Sequence, residues 1–107
     1  MSSNKEQKKT CSETLKLLGD YWTLSIIDVL RDQELRFCEL QRSLNMINPV
    51  TLTNRLQRLE EENLLHRREG SVDEVSVSYS LTSLGKEALV VVEALNAFSK
   101  KAEAKKR

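Results

Sequence analysis

The stretch RFCELQRSLNMINPVTLTNRLQRLEEENLLHRR, residues 36–68, predicts a short helix, a turn, a second helix and then a strand. In the second helix Leu52, Leu56 and Leu59 recur at helical spacing and make one apolar stripe. Asn48 is a good N-cap and Pro49 a natural first helical residue, so the helix is expected to begin there. Its opposite face is left to small polar and basic side chains, which can enter a groove.

The side chains away from the leucine stripe are of the types that read DNA. Asn and Gln can pair with adenine, Arg with guanine or a phosphate, and Thr or Val can pack on a thymine methyl group. The first amides of the helix are also expected to be available to a phosphate. An isolated helix of this kind could equally be an ordinary amphipathic surface helix, so the surrounding sequence has to decide. The candidate readers are Val50, Thr51, Thr53, Asn54, Gln57 and Arg58.

The formal net charge of +1 does not indicate nucleic-acid binding, but the distribution of charge is more informative. Residues 1–10 carry a net +2 and residues 99–107 a net +4, whereas residues 11–98 carry a net −5. Such basic tails can attract phosphate, although charged termini also serve simply to keep a protein soluble. Residues 36–58 contain four arginines and one acid, Glu39, a local basic patch that can position a protein on phosphates. The arginines are Arg36, Arg42, Arg55 and Arg58.

Several other classes of function find no support in the sequence. No apolar run approaches the roughly 18 residues needed to cross a bilayer, and the polar start MSSNKEQKKT lacks the apolar core of a signal peptide. We therefore expect a cytoplasmic protein with no membrane partner. Two cysteines and one histidine offer neither a disulfide framework nor a zinc spacing, so no metal or other cofactor is expected. No catalytic arrangement is recognisable, so the chain is not expected to be an enzyme.

Before this stretch the sequence predicts a disordered basic tail at residues 1–10 and helices at 11–20 and 21–32. A very short strand is expected at Leu35, ahead of the helix at 37–44. After the stretch, a strand at 64–69, a turn at 70–74 and a strand at 75–81 predict a hairpin, or wing. The returning strand alternates apolar residues with serines, the period of a half-buried strand. Its apolar residues are Val75, Val77, Tyr79 and Leu81.

A last helix is expected from Thr82 to about Lys100, followed by a basic tail at 101–107. Its apolar stripe is longer than one small core requires, and a partner helix from a second subunit is the simplest cover. Packing within its own subunit is the alternative. The stripe consists of Leu84, Ala88, Val91, Val92, Leu95 and Phe98.

This order of elements is that of a winged helix-turn-helix, mainly α with a small β-hairpin, filling residues 11–100. Within that order the chain resembles the HxlR-type transcriptional regulators, which are relatives of the MarR-like winged-helix proteins. The resemblance covers Cys11 to about Phe98. Beyond Cys11 it is carried by four motifs: GDYWTLSIIDVL at 19–30, RFCEL at 36–40, LTNRLQRLEEENLLHR at 52–67 and YSLTSLG at 79–85.

The resemblance implies a homodimer joined through its N- and C-terminal helices, with the helix from Pro49 in the major groove. Two-fold symmetry then implies a pseudo-palindromic double-stranded DNA operator with half-sites roughly 34 Å apart. The implied base readers are Val50, Thr51, Asn54 and Arg58. Arg55 matches an arginine of the family's pattern, and either contacts phosphate or holds the helix through an intramolecular ion pair.

The wing departs from the family pattern, because Asp73 and Glu74 lie near its tip and a phosphate-lined groove repels acids. Deep insertion of the wing is therefore not expected. His66, Arg67 and Arg68 on the preceding strand could still touch the DNA backbone. His66 is interpreted as a surface residue of that strand and not as a sensor.

The two cysteines are candidates for redox sensing. Cys11 lies at an expected helix start with Lys8 and Lys9 close by, which favours the reactive thiolate, and the matching cysteine senses oxidants or electrophiles in several family members. Cys11 could also be an ordinary free cysteine. Cys38 is either a resolving thiol across the dimer or simply a small residue near a helix start.

Together these features predict a dimeric, sequence-specific DNA-binding regulator. A repressor is favoured over an activator, because a dimer that occupies an operator most simply blocks polymerase. The alternative is a winged-helix protein-interaction module, which the acidic wing and the low net charge would fit, since a fold does not determine a function.

Overall fold

The computed structural model describes residues 10–69 and 77–106, and in these residues the winged helix-turn-helix is confirmed. The first half contains helix α1 (Cys11–Leu18), helix α2 (Tyr21–Val29), strand β1 (Leu35–Arg36) and helix α3 (Phe37–Ser43). The second half contains helix α4 (Pro49–Glu61), strands β2 (Leu65–Glu69) and β3 (Val77–Leu81), and helices α5 (Ser83–Glu87) and α6 (Leu89–Lys105). The expected disorder of residues 1–9 and the wing turn with Asp73 and Glu74 lie outside the described residues.

The strands form one antiparallel sheet in the order β1-β3-β2. Tyr79 in the central strand is opposite both Leu35 and Arg67. Tyr79 and Leu81 are buried while Ser78 and Ser80 are only half-buried, so the predicted alternation is confirmed from Ser78 to Leu81, whereas Val77 is half-buried like the serines.

The leucine stripe of α4 lies in the centre of the core, as predicted. Leu52, Leu56 and Leu59 are all buried, and they share one apolar cluster with Ile26 of α2 and Leu40 of α3. Truncating a leucine in such a position lowers the free energy of unfolding by about 2 to 5 kcal/mol. Burial of the stripe therefore fixes the orientation of α4 about its own axis. The face opposite the stripe is therefore presented to solvent.

The turn between α3 and α4 uses left-handed backbone at two residues that are not glycine. Asn45 and Met46 both have φ of 58°, a region that most side chains avoid. Gln41 stabilises this turn at two points: its carbonyl accepts from the Met46 amide at 2.8 Å, and its side-chain amide donates to the Ile47 carbonyl at 3.0 Å. The start of α4 is thereby tied to the body of α3.

The last helical segment differs from the prediction in two respects. It is divided at Ala88, whose amide lies 3.2 Å from the Leu84 carbonyl and 3.1 Å from that of Gly85, a tightened turn between α5 and α6. It also continues to Lys105, so the expected end near Lys100 is wrong. Residues 101–106 are alanine, lysine and one glutamate, all strong helix formers, and they extend α6 with little burial.

Candidate nucleic-acid interface

Helix α4 presents the predicted polar face to solvent. Val50 is 67% exposed, and Thr53, Asn54, Gln57 and Arg58 are also exposed. Thr51 is only half-buried, on the shoulder between this face and the core. The structure thus brings five of the six candidate readers onto one open surface. We call this surface, Val50, Thr53, Asn54, Gln57 and Arg58, the reading face.

The first turn of α4 is capped by Asn48, the residue directly before the helix. The Asn48 side-chain oxygen accepts from the amides of Val50 at 2.8 Å and Thr51 at 3.3 Å, and Pro49 has no amide hydrogen. The expected phosphate site at these amides is therefore already filled by Asn48. The N-cap prediction is confirmed, and the same cap takes the donors that a phosphate would need.

Arg55 forms the intramolecular ion pair that was one of its two expected roles. Its Nε donates to Asp20 Oδ2 at 2.8 Å and its Nη2 donates to Oδ1 at 3.2 Å, a bidentate pair between α4 and the residue before α2. Asp20 Oδ2 also accepts from the Thr23 amide and hydroxyl, each at 2.9 Å, so the same carboxylate caps α2. The bonds donated by Arg55, helped by those from Thr23 and opposed by partial burial, lower the pKa of Asp20 to about 2.

The hydrogen bonds accepted by Asp20 are expected to make the free energy of unfolding fall at low pH. Because its folded pKa of about 2 lies below its ordinary value of 3.8, the stabilisation is present above pH 4 and is lost as pH falls towards 2. The side chain is 30% exposed, so we expect a loss of about 1 to 2 kcal/mol. Denaturant unfolding of the wild type and Asp20→Asn at pH 5 and pH 2.5 measures it. An equal loss of stability in both proteins would contradict this assignment.

Three other arginines that were expected to contact DNA form ion pairs with acids of the same chain. Arg58 Nε lies 3.4 Å from Glu62, and Arg36 Nη2 lies 3.5 Å from Glu39, whose carboxylate also accepts from the Arg36 amide. Arg67 lies 2.8 Å from Glu69. Exposed pairs of this kind contribute between about 0 and 1 kcal/mol, so a phosphate can displace the acid at little cost.

Arg68 is held more firmly than a free surface arginine. It donates through Nε and Nη2 to Glu34 at 3.0 and 2.9 Å, and Ser78 donates to the same carboxylate. The bond from Ser78, together with those from Arg68, lowers the pKa of Glu34 below its ordinary range. They connect the residue before β1 to both β2 and β3, so Arg68 helps to fix the base of the wing.

Both cysteines are free and exposed in the described residues. Cys11 is the first residue of α1, directly after Thr10, which caps that helix through a reciprocal pair of bonds with Glu13 at 3.0 and 3.3 Å. Cys38 is the second residue of α3. Neither thiol is buried, so both are open to reagents in the protomer.

Sequence reasoning missed Asp20 and Glu34 as parts of the interface. Asp20 stands before a helix and was recognisable as an N-cap, but its partner Arg55 is 35 residues away. Glu34 and Arg68 are separated by 34 residues. Local patterns cannot indicate which acid meets which arginine across such distances.

Comparisons with known proteins agree with this geometry. Residues 17–107 match the model of the HxlR-like helix-turn-helix family. The chain is 39% identical over 83 residues to the HTH-type transcriptional regulator BH0655 of Halalkalibacterium halodurans, covering 77% of this chain and 74% of the relative. It is 34% identical over 83 residues to the HTH-type transcriptional regulator YodB of Bacillus subtilis, covering 78% and 74%.

Solved structures resemble the whole fold. The reduced form of YodB from B. subtilis has a TM-score of 0.75 at 29% identity, over 88% of this chain and 94% of that one. The redox regulator HypR in its reduced form has a TM-score of 0.76 at 27% identity, over 84% and 89%.

The reading face on a fixed helix, beside a three-stranded wing sheet, defines a winged helix-turn-helix DNA-binding transcriptional regulator. The chain belongs to the HxlR-like helix-turn-helix family. Among the described residues, no helix has the length and apolar character that a membrane span requires.

Proposed function

We propose that the protein is a homodimeric repressor that occupies a pseudo-palindromic operator, with α4 of each subunit in the major groove. The observation that carries the proposal is the reading face itself. Its polar side chains are exposed on a helix whose opposite side is locked into the core by three leucines. Such rigidity favours base readout, because side chains held in register need little ordering when DNA binds.

Within this proposal the candidate residues have two kinds of role. Bases are read by Val50, Thr51, Thr53, Asn54, Gln57 and Arg58, while Asn48 and Pro49 set where the helix begins. The DNA backbone is contacted by Arg36, Arg55, Arg67 and Arg68. For Arg36, Arg67 and Arg68 this requires the phosphate to compete with Glu39, Glu69 and Glu34.

The proposed dimer is supported by the uncovered apolar face of α6. Phe98 is 67% exposed and Leu95 is 48% exposed, although both belong to the predicted apolar stripe. Tyr21, Leu24, Val92 and Leu95 line a groove of about 300 Å³ between α2 and α6. A helix from a second copy would cover both features and set the half-sites roughly 34 Å apart.

Selection of bound sites from random duplexes tests the proposal, followed by Asn54→Ala and Arg58→Ala. Each variant is expected to lose about 1 to 3 kcal/mol of discrimination at the base pair it reads, and to keep non-specific binding. Gln33→Ala removes an exposed amide away from α4 and serves as the matched control. Unchanged base preferences in both variants would remove these residues as readers. No affinity for any duplex at low salt would instead favour the protein-interaction module.

Response to oxidants or electrophiles through Cys11 is the second part of the proposal. Cys11 is exposed at the start of α1, which the proposed dimer places at its interface, so a modified thiol there would alter how the subunits meet. The similar YodB has been solved in quinone-bound and diamide-treated forms. Cys11 itself lies before the residues that match the family model.

Titration of operator binding with diamide or a quinone tests this role. The wild type is expected to release the operator, and Cys11→Ser is expected to stay bound at the same reagent concentrations. Cys38→Ser is the matched control, because its thiol is also exposed. Release that is the same in wild type and Cys11→Ser would exclude Cys11 as the sensor. If Cys38→Ser also stayed bound to the operator, both thiols would take part in the response to the reagent.

A further inference from the structure

A polar groove of about 530 Å³ lies between the α1–α2 corner and α4. Three residues of the reading face, Asn54, Gln57 and Arg58, line one wall of this groove. Lys16 at the end of α1 and Asp20 before α2 lie along the groove as well, and Arg55 completes it. DNA that meets the reading face would therefore also meet this groove.

The charges that line the groove favour an anion. Lys16, Arg55 and Arg58 are its three cations, and Asp20 and Glu61 are its two carboxylates. The charge of Asp20 is already balanced by its bidentate pair with Arg55, and Arg58 Nε lies 3.4 Å from Glu62. Lys16, by contrast, is exposed and forms no ion pair within 4 Å with any residue that the structure describes.

Arg55 has donors to spare after pairing with Asp20. A guanidinium carries five N–H donors, and the pair uses one on Nε and one on Nη2. Three N–H groups remain, and two of them, one on Nη1 and one on Nη2, lie side by side along the outer edge of the fork. The side chain is 34% exposed and lines the groove, so it is open to an anion. A planar edge of this kind suits the two oxygens of a phosphate.

We propose that the groove clamps one phosphate of the operator backbone, with Arg55 as its bidentate donor and Lys16 as its second cation. Asp20 is a positioning residue: it fixes the Arg55 fork so that the outer edge is ready for the phosphate. Arg55 thereby fills both of its expected roles at once. The inference rests on the proposed DNA binding, and it adds Lys16 of α1, which lies outside the helix-turn-helix, to the contacts with the DNA backbone.

Asp20→Asn has opposite expected effects on DNA affinity for two possible roles of Asp20. If Asp20 acted only as a negative charge, Asp20→Asn would bind DNA more tightly, because repulsion is removed. If Asp20 positions Arg55, the same change weakens binding. Glu61→Gln removes an equal charge from the same groove without touching the Arg55 pair, and is the matched control. Asparagine is also a good N-cap, so Asp20→Asn keeps a cap on α2.

Fluorescence anisotropy with the selected operator and with a scrambled duplex of equal length measures these effects. We expect Asp20→Asn to bind both duplexes roughly tenfold more weakly, the loss of a charge-assisted bond, with the preference for operator unchanged. Glu61→Gln is expected to bind as tightly as the wild type or a fewfold tighter. Thermal melts and a stoichiometric titration with the operator ensure that equal amounts of folded, binding-competent protein are compared.

The dependence on salt tests Lys16 separately. For Lys16→Gln we expect the slope of log affinity against log salt, between about 50 and 200 mM, to fall by about one, uniformly across sequences. Lys86→Gln, an exposed lysine on α5 outside the groove, is expected to leave the slope unchanged. An unchanged slope in Lys16→Gln would remove Lys16 from the clamp.

Two results would overturn the clamp as a whole. One is tighter or unaltered binding by Asp20→Asn. The other is a loss confined to the operator, since that would mean the Asp20–Arg55 pair only supports the reading helix. Failure of the proposed DNA binding looks different: the wild type itself would then show no salt-dependent affinity for either duplex.

Discussion

Gly85→Ala is expected to lower the free energy of unfolding by about 3 kcal/mol, enough to lower the melting temperature by more than 10 °C in a domain of this size. Alanine ordinarily stabilises a helix relative to glycine by about 1 kcal/mol. At this position the effect is reversed, because a Cβ would lie 2.1 Å from the Leu64 backbone oxygen and 3.1 Å from a Leu81 methyl carbon.

The clash cannot be relieved locally, since the same carbonyl anchors α5. The Thr82 amide donates to the Leu64 oxygen at 3.1 Å, and the Thr82 hydroxyl donates to the Asn63 carbonyl at 2.8 Å and accepts from the Gly85 amide at 2.9 Å. Moving α5 outward to admit a methyl group strains the two bonds from Thr82 to Leu64 and Asn63, each worth about 0.5 to 1.5 kcal/mol.

Thermal and urea unfolding measure the effect, with Lys86→Ala as the control. Lys86 is the next residue of α5 and is exposed, so its truncation is expected to change stability by less than about 0.5 kcal/mol. If Gly85→Ala proved as stable as the wild type, α5 would have to sit farther from Leu64 than the structure shows.

Phe98→Glu is expected to weaken the proposed dimer roughly thousandfold. An aromatic side chain at the centre of an interface contributes about 2 kcal/mol or more, and a two-fold axis uses it twice, which gives about 4 kcal/mol in all. Because Phe98 is 67% exposed in the protomer, the substitution leaves the core of each subunit intact. Affinity for the operator should fall with the dimer, since a single half-site makes only half of the contacts.

Sedimentation equilibrium over a range of concentrations measures the dimer directly. Phe98→Leu keeps an apolar side chain and is expected to remain mostly dimeric, whereas Ser99→Glu adds the same charge one position along, on another side of the helix. A Phe98→Glu protein that stays dimeric at the wild-type concentration would show that α6 does not form the interface. Operator binding by that protein would then rest on a different assembly.

Much of the fold could be predicted because its signals are local. The spacing of Leu52, Leu56 and Leu59 defines the buried side of α4, and the pair Asn48–Pro49 marks where that helix begins. The alternation in β3 works in the same way, since successive side chains of a strand point to opposite sides. Each of these signals depends only on residues within a few positions of one another.

The division at Ala88 could not be predicted, because it depends on two packing partners. Helix α5 is anchored to Asn63 and Leu64, whereas α6 packs against α2 with Val92 buried. Apolar residues continue at helical spacing across the junction, so nothing in the local pattern indicates a break. The tightened turn at Ala88 separates the segment anchored to Asn63 and Leu64 from the segment that packs against α2.

The sequence by itself determined the class of fold, the helix that carries the reading face and the family resemblance, since all three rest on short-range spacing. Only the tertiary structure decided which partners the charged side chains of α4 and of the wing sheet have. It pairs Arg55 with Asp20 and Arg68 with Glu34. Ion pairs across more than 30 residues depend on distance in space, which the order of residues does not record.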